Sequence, residues 1–325
     1  MPTTRSRRPV AAALLALLAC GAQAQAWPDK PIKLVTPSTP GGPPDVYGRA
    51  LADQLARELG QAVIVENMPA VGGMIAAQSM ARVPADGHTL MVGTAGAMTI
   101  TPNANPKAQY KPADFTPICQ GVEAALVLAS HPSLGTRTFN ELSQWMKAQK
   151  APPTYSSYAP GSPAHFLGHQ LGEALKLDLV HVPYKSSPAQ ITDMIGGVAP
   201  LGFVQIATAS PHVKAGKLTA YATTGAQRSP QLPDVPTVAE LGLPQLETTV
   251  WFGLTGPKGL PPAVVKRLTE AHQKIVASPE FKTRMAVAGL SPSVGLCGDG
   301  FLKKMNDETA RWGRIVKATG FVADN

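Results

Sequence analysis

Short apolar runs alternate along the chain with stretches whose apolar residues recur every three or four positions. Residues 32–35 form the first apolar run and predict a strand. After a Pro/Gly-rich turn a helix is predicted over 46–59. Ala50, Leu51, Leu55 and Leu59 share one face of it, and Arg49, Asp53, Arg57 and Glu58 the other. Strand 62–65, helix 74–82 and strand 89–93 follow. A second set of alternations begins at 126–131 and continues with helix 139–147, strand 154–158, helix 164–175, strand 179–184, helix 188–195 and strands 201–205 and 218–223. Strand 250–254, helix 262–277, a turn at Ser278-Pro279 and a last helix over 300–318 complete the chain. Strands that alternate with helices call for a parallel sheet with crossover helices on its faces. The predicted fold class is therefore α/β, with two α/β units crossed by two strand connections and a cleft between them, a preferred place for a small-molecule site.

In such sheets ligands sit outside the carboxyl ends of the strands. Here those ends read 37–45, 66–73 and 93–97 in the first set. In the first of them Gly41 and Gly42 let a ligand approach the backbone, and Pro43 and Pro44 fix φ in a first turn that has no use for their N–H groups. Unpaired N–H groups at a helix start favour an anion. Any β-α connection needs a turn, however, so this stretch alone does not separate an anion nest from a plain connection. The second set carries a similar loop, Ala159-Pro160-Gly161-Ser162-Pro163, with His165 in the first turn of the helix behind it.

The 325 residues suffice for two domains, and 44% hydrophobic against 15% charged residues excludes a disordered chain. The 32 prolines and 30 glycines are scattered, which fits many short connections rather than a linker. Residues 1–26 read as a signal peptide. Arg5, Arg7 and Arg8 precede an apolar stretch over 10–18, and small residues before Ala24 and Ala26 offer cleavage sites. A lipobox-like Leu17-Leu18-Ala19-Cys20 makes a lipid-anchored Cys20 the rival outcome. Removing three arginines and no acidic residue lowers the net charge from +8 to +5. The remaining basic residues are dispersed and lack aromatic interleaving, which argues against nucleic acid. Cys119 and Cys297 lie far apart without a motif, and two free buried thiols are the favoured reading.

Candidate chemistry narrows the picture mostly by elimination. His165, His169 and Glu173 share one helix face at spacings that suit zinc, but Phe166-Leu167-Gly168 between the histidines favours a packing face. The chain has no nucleophile elbow, no phosphate loop of the Gly-x-x-x-x-Gly-Lys type and no Rossmann glycine triplet. No catalytic residue, metal site or cofactor is predicted.

The motifs that remain resemble those of the periplasmic solute receptors of tripartite tricarboxylate transporters, the Bug family. They include Pro40-Gly41-Gly42-Pro43-Pro44-Asp45 with Arg49, Val65-Glu66-Asn67, Asp86-Gly87-His88-Thr89-Leu90, His181-Val182-Pro183-Tyr184-Lys185, Leu232-Pro233-Asp234-Val235-Pro236-Thr237 with Glu240, and Trp251-Phe252-Gly253. The resemblance implies a two-lobed, type II-like Venus flytrap, each lobe a sheet flanked by helices. One lobe comprises 27–126 plus 250–325, and the other, 127–249, is inserted. It also implies a periplasmic, non-enzymatic, monomeric receptor that delivers a small mono-, di- or aromatic carboxylate to membrane permease subunits. The alternatives are a binding protein that signals instead, and an exported enzyme with His165 as base. Ligand contacts carried over from the family fall on Gly41, Gly42, Asp45, Thr94 and Ala95 from the first lobe, and on Ser157, Gly161, Ser162, His165 and Gln205 from the second. Serine and threonine hydroxyls and glycine backbone would be the donors. Two departures stand out. Met68 and Met74 occupy positions where relatives carry Arg and Asn, and Gln205 replaces a common Asp. An amide offers N–H donors and does not repel an anion, which points to carboxylates without an amino group.

Overall fold

The computed structural model describes residues 27–69 and 71–323. The expected signal peptide, with Cys20, Ala24 and Ala26, lies outside the described residues. Strand β1 (Ile32–Thr36) leads into α1 (Pro43–Leu59), which stops at Gly60 in the left-handed region, φ 71°. Then come β2 (Val63–Asn67), α2 (Met74–Met80) and β3 (Thr89–Thr94). A π-type turn, Gly96–Ile100, runs into the short α3 (Thr101–Ala104). The next strand, β4 (Phe115–Ser130), is the longest. After it the order is α4 (Phe139–Ala148), β5 (Thr154–Ser157), α5 (Pro163–Leu175), β6 (Val180–Pro183), α6 (Ser187–Ile195), β7 (Leu201–Gln205), α7 (Ile206–Lys214) and β8 (Thr219–Thr223). The chain ends with β9 (Thr249–Pro257), α8 (Pro262–Ala277), α9 (Pro279–Val287), the two-residue β10 (Ser291–Pro292) and α10 (Gly298–Thr319).

The fold is α/β, and its strands are not all parallel. β2, β1 and β3 are parallel neighbours, but β9 pairs with β3 antiparallel and β4 pairs with β9 antiparallel. β4 then continues into a second sheet. Residues 115–125 pair with β9, whereas 126–130 lie between β7 and β8, both antiparallel to β4, with β5 and β6 beyond β7. The expected second set of alternations thus begins inside a strand, because the apolar run at 126–131 is the far half of β4.

The registers fix where the strand ends point. β4 runs in the same direction as β3, and β7, β5 and β6 run against it. Thr94, the last residue of β3, pairs with Phe252, which pairs with Val122; Gln205, the last residue of β7, pairs with Leu126. The carboxyl ends of both parallel sets therefore face one seam along residues 122–126 of β4, about 13 Å long at the rise of a strand.

Cores fill both sides of the sheets. On the first sheet α1 buries Tyr47, Leu51 and Leu55 against α8, and the Tyr47 hydroxyl meets His272 Nε2 at 3.0 Å. A side chain at Gly121 would collide with the Tyr47 hydroxyl, so this strand position has to be glycine. Two helices differ from the sequence reading. Ser278-Pro279 is the N-cap and first position of α9 rather than a simple turn, with Phe281 N–H donating to Ser278 Oγ (3.2 Å). Likewise α7 forms although Pro211 lies within it.

The two cysteines are joined. Cys119 of β4 and Cys297, just before α10, sit opposite each other in an isolated antiparallel bridge and form a disulfide, where free thiols were expected. Backbone bonds from Gln120 N–H to Leu296 O and from Ser293 N–H to Gly121 O hold the 291–297 segment along β4, which brings the thiols together. Among the described residues no helix is long and apolar enough to cross a membrane.

Candidate functional site

The loop after β1 is organised by Asp45, whose carboxylate is only 2% exposed. One oxygen accepts from the Gly41 N–H (2.8 Å) and Arg49 Nε (3.0 Å), and the other from Asn67 Nδ2 (2.8 Å). Asn67 also reaches Thr36 Oγ1 and Ser38 O, and its own oxygen accepts from Arg49 (3.0 Å). Burial pushes the Asp45 carboxyl up, but the bonds from Arg49, Gly41 and Asn67 and the Arg49 charge outweigh it and hold the group below the usual carboxylate range.

This closed network changes the reading of the turn. The Gly41 N–H is already committed to Asp45 and the Gly42 N–H to Thr39 O (3.1 Å), while Pro43 and Pro44 have none. An anion nest is therefore not built here. Gly41, at φ 79°, has no atom within 4 Å of where a side chain would start, so it forms an open backbone wall. Asp45 shapes that wall, and its carboxylate has no capacity turned toward an anion.

The end of β3 offers donors instead. Thr94 Oγ1 accepts from the Ala97 N–H (3.2 Å), which leaves its hydroxyl proton free to donate. The N–H groups of Ala95 and Gly96 stand at the start of the helical turn and donate to no backbone carbonyl among the described residues. Ala95 is buried and its carbonyl accepts from Thr99 Oγ1 (2.7 Å), whereas Gly96 borders open space.

In the second sheet the loop between β5 and α5 folds around one carbonyl. Ser157 Oγ and Ser162 Oγ both donate to Ala159 O, at 2.9 and 2.7 Å. Ser162 is also the N-cap of α5 and accepts from the His165 N–H. Both hydroxyls expected to serve a ligand are thus turned inward. With its proton spent, Ser157 Oγ accepts from His181 Nε2 (2.7 Å), which fixes that ring as the Nε2-protonated tautomer. The Gly161 N–H donates to His165 Nδ1 (3.2 Å), so His165 too carries its proton on Nε2.

The two histidine rings stack at 3.8 Å with planes 13° apart. Burial, then the neighbouring His181 and His169, push His165 down to about 3, and burial pushes His181 down to about 4. Both are neutral at physiological pH. Among the described residues no carboxylate orients His165, and its value lies far below neutrality, so it is a weak base but a usable N–H donor. At the end of β7, Gln205 Oε1 accepts from Ser187 Oγ (2.7 Å), and its Nε2 has no protein partner among the described residues. His169 Nε2 lies 3.4 Å from Glu173, and no group of three His, Cys, Asp or Glu among the described residues is placed to hold a metal.

Three contributors escaped the sequence reading: Asn67, His181 and Phe321. Asn67 and His181 sit inside quoted motifs, but their partners lie 18 to 31 and 24 residues away. Phe321 touches His165 edge-on at 4.6 Å.

Residues 47–321 match the profile described as "Tripartite tricarboxylate transporter family receptor". The chain is 31% identical to Protein BugT of Bordetella pertussis over 309 residues, 93% of each chain. Among solved structures, a R. palustris protein determined with adipate superposes with a TM-score of 0.84 at 29% identity, covering 91% of this chain and 99% of that one. MatC of Rhodopseudomonas palustris, with bound malate, gives 0.80 at 28% identity, with 89% and 100% covered.

Proposed function

Since this chain belongs to the tripartite tricarboxylate transporter receptor family, whose members are periplasmic solute-binding proteins and not enzymes, we propose that it captures a small carboxylate between two lobes and delivers it to the membrane permease of such a transporter. The lobes are 27–126 with 250–325, and the inserted 127–249; the protein works as a monomer. One observation carries this reading: the registers turn the carboxyl ends of both parallel strand sets toward the same seam, each with unspent donors. From the first lobe come the Thr94 hydroxyl and the N–H groups of Ala95 and Gly96. From the second come Gln205 Nε2 and the His165 Nε2–H. Gly41 and Gly42 form the wall beside them, and Asp45, Ser157, Gly161 and Ser162 hold the loops in shape.

The donors are dipoles rather than free cations, so the carboxylate is held by directed hydrogen bonds in a site from which closure excludes water. That two similar proteins were solved with adipate and malate supports a dicarboxylate as the ligand class. A thermal-shift and calorimetric screen over adipate, malate, aromatic carboxylates and amino acids tests this. A true ligand at a hundred times its Kd adds about 2.7 kcal/mol of stability. Gln205→Asp places a like charge beside the anion and should weaken binding by about tenfold or more, about 1.4 kcal/mol. Unchanged affinity would remove Gln205 from the site. No response to any carboxylate would remove the ligand class.

A further inference from the structure

The turn that follows helix α10 crosses to the opposite strand set. Helix α10 ends at Gly320, in the left-handed region with φ 63°, and the chain doubles back. Phe321 N–H donates to Thr319 Oγ1 (3.2 Å) and Ala323 N–H to Ala104 O (2.8 Å), so the turn is fastened to α3, on the side of the first sheet. The Phe321 ring points the other way. It meets His165 edge-on, centroids 4.6 Å apart and planes at 80°, and Phe166 at 5.7 Å and 83°. A side chain added at Gly161 would start 3.2 Å from the ring, so the loop glycine is also the floor of its seat. Beyond His165 the contacts continue to His181 (3.8 Å) and from His181 to Tyr155 of β5 (5.1 Å). Four rings thus run in a row from the C-terminal turn, through the loop that presents His165, into the second sheet.

We propose that Phe321 is a positioning residue, a clasp from one lobe that holds the 159–166 loop of the other in its ligand-binding shape. The proposal rests on the two-lobe reading above. Phe321 touches no ligand donor other than the His165 ring; the Gly161 N–H sets the tautomer of that ring, and Phe321 and His181 hold its orientation. Opening the lobes separates α10 from α5, so release of the ligand has to break this contact, while capture by the open protein does not. Edge-to-face aromatic pairs contribute enough to slow release by about two- to tenfold beyond what burial alone provides.

The test uses the full chain with Phe321→Ala and Phe321→Tyr, and adipate and malate as probes. With Phe321→Ala we expect dissociation about tenfold faster and association within twofold of the parent, with Phe321→Tyr restoring both. A dissociation rate within twofold of the parent overturns the clasp and leaves the receptor reading intact. Amide hydrogen exchange of residues 159–166 without any probe gives an independent readout: faster in Phe321→Ala, restored in Phe321→Tyr. If the parent binds neither probe, the dicarboxylate reading has failed, and the exchange measurement alone decides the clasp. Unchanged exchange then overturns it.

Discussion

At the scale of single residues, the loop after β1 shows how buried polar groups can fix the shape of a candidate site by bonding one another. Asn67 ties Thr36, Ser38, Asp45 and Arg49 together, and it is the only neutral member that both donates to and accepts from the Asp45–Arg49 pair. Replacing it leaves a nearly buried carboxylate short of a partner. Asn67→Ala should therefore lower stability by about 1–3 kcal/mol in urea unfolding, more than a surface Asn would. Histidines give a second expectation. His165, His181 and His272 are pushed to about 3, 4 and 3, far below their unfolded value near 6.5. Between pH 6.5 and 4 the unfolded chain binds protons that the folded chain refuses, so stability falls as the pH drops. By pH 5 the loss is about 2 kcal/mol per histidine. A urea midpoint unchanged between pH 7 and pH 5 would rule this out. The sequence offered the glycines, serines and His165 of the two loops, since loop position and residue type are local. It did not show which donors were already spent, because Gly41, Ser157 and Ser162 commit theirs to groups whose approach depends on the local fold.

At the scale of elements, most strands and helices were legible because their apolar period is local. Strand 201–205 and helix 262–277 were read with their observed bounds. The first half of β4 escaped because Phe115–Ala125 mixes buried and half-buried positions and contains Pro117 and Gly121. Helix α9 escaped because Pro after Ser reads equally as a turn. The seam also carries a feature that no pattern announces. From α10, Glu308 accepts a hydrogen bond from Trp251 Nε1 of β9 (2.6 Å), and Lys304 lies between Glu308 (3.9 Å) and Glu123 of β4 (3.7 Å). Burial pushes the Glu308 carboxyl above the usual range, against the Trp251 bond and the charges of Lys304 and Arg311. Glu308→Gln keeps the acceptor and relieves the buried charge, so it should be close to neutral. Glu308→Ala leaves the indole N–H without a partner and should cost about 1–3 kcal/mol. Equal effects of the two, measured by chemical unfolding, would show that the indole bond contributes nothing.

At the scale of the whole molecule, two crossings join the sheets, one within β4 and one at the start of β9, and the disulfide fastens the segment before α10 to the first of those strands. It closes a loop of sequence separation 178 that contains all of the second sheet beyond β4. Chain-entropy arguments give a crosslink over so long a loop about 5 kcal/mol, and native disulfides typically contribute about 2–4 kcal/mol. Reduction, or Cys119→Ser with Cys297→Ser, should lower the urea midpoint accordingly, and an unchanged midpoint would mean that the 291–297 segment holds without it. The same topology sets a timetable for biogenesis. Phe115 finds its partner only in Pro257, and β3 has β9 as its outer neighbour. A chain made from its N-terminus therefore displays β3 and the first half of β4 as unfinished edges until β9 has been synthesised. Pairings so distant in sequence form slowly and stay open to wrong partners meanwhile. In a family of periplasmic solute-binding proteins that delay is useful: a sheet that cannot yet be completed is one that can still be threaded through a membrane.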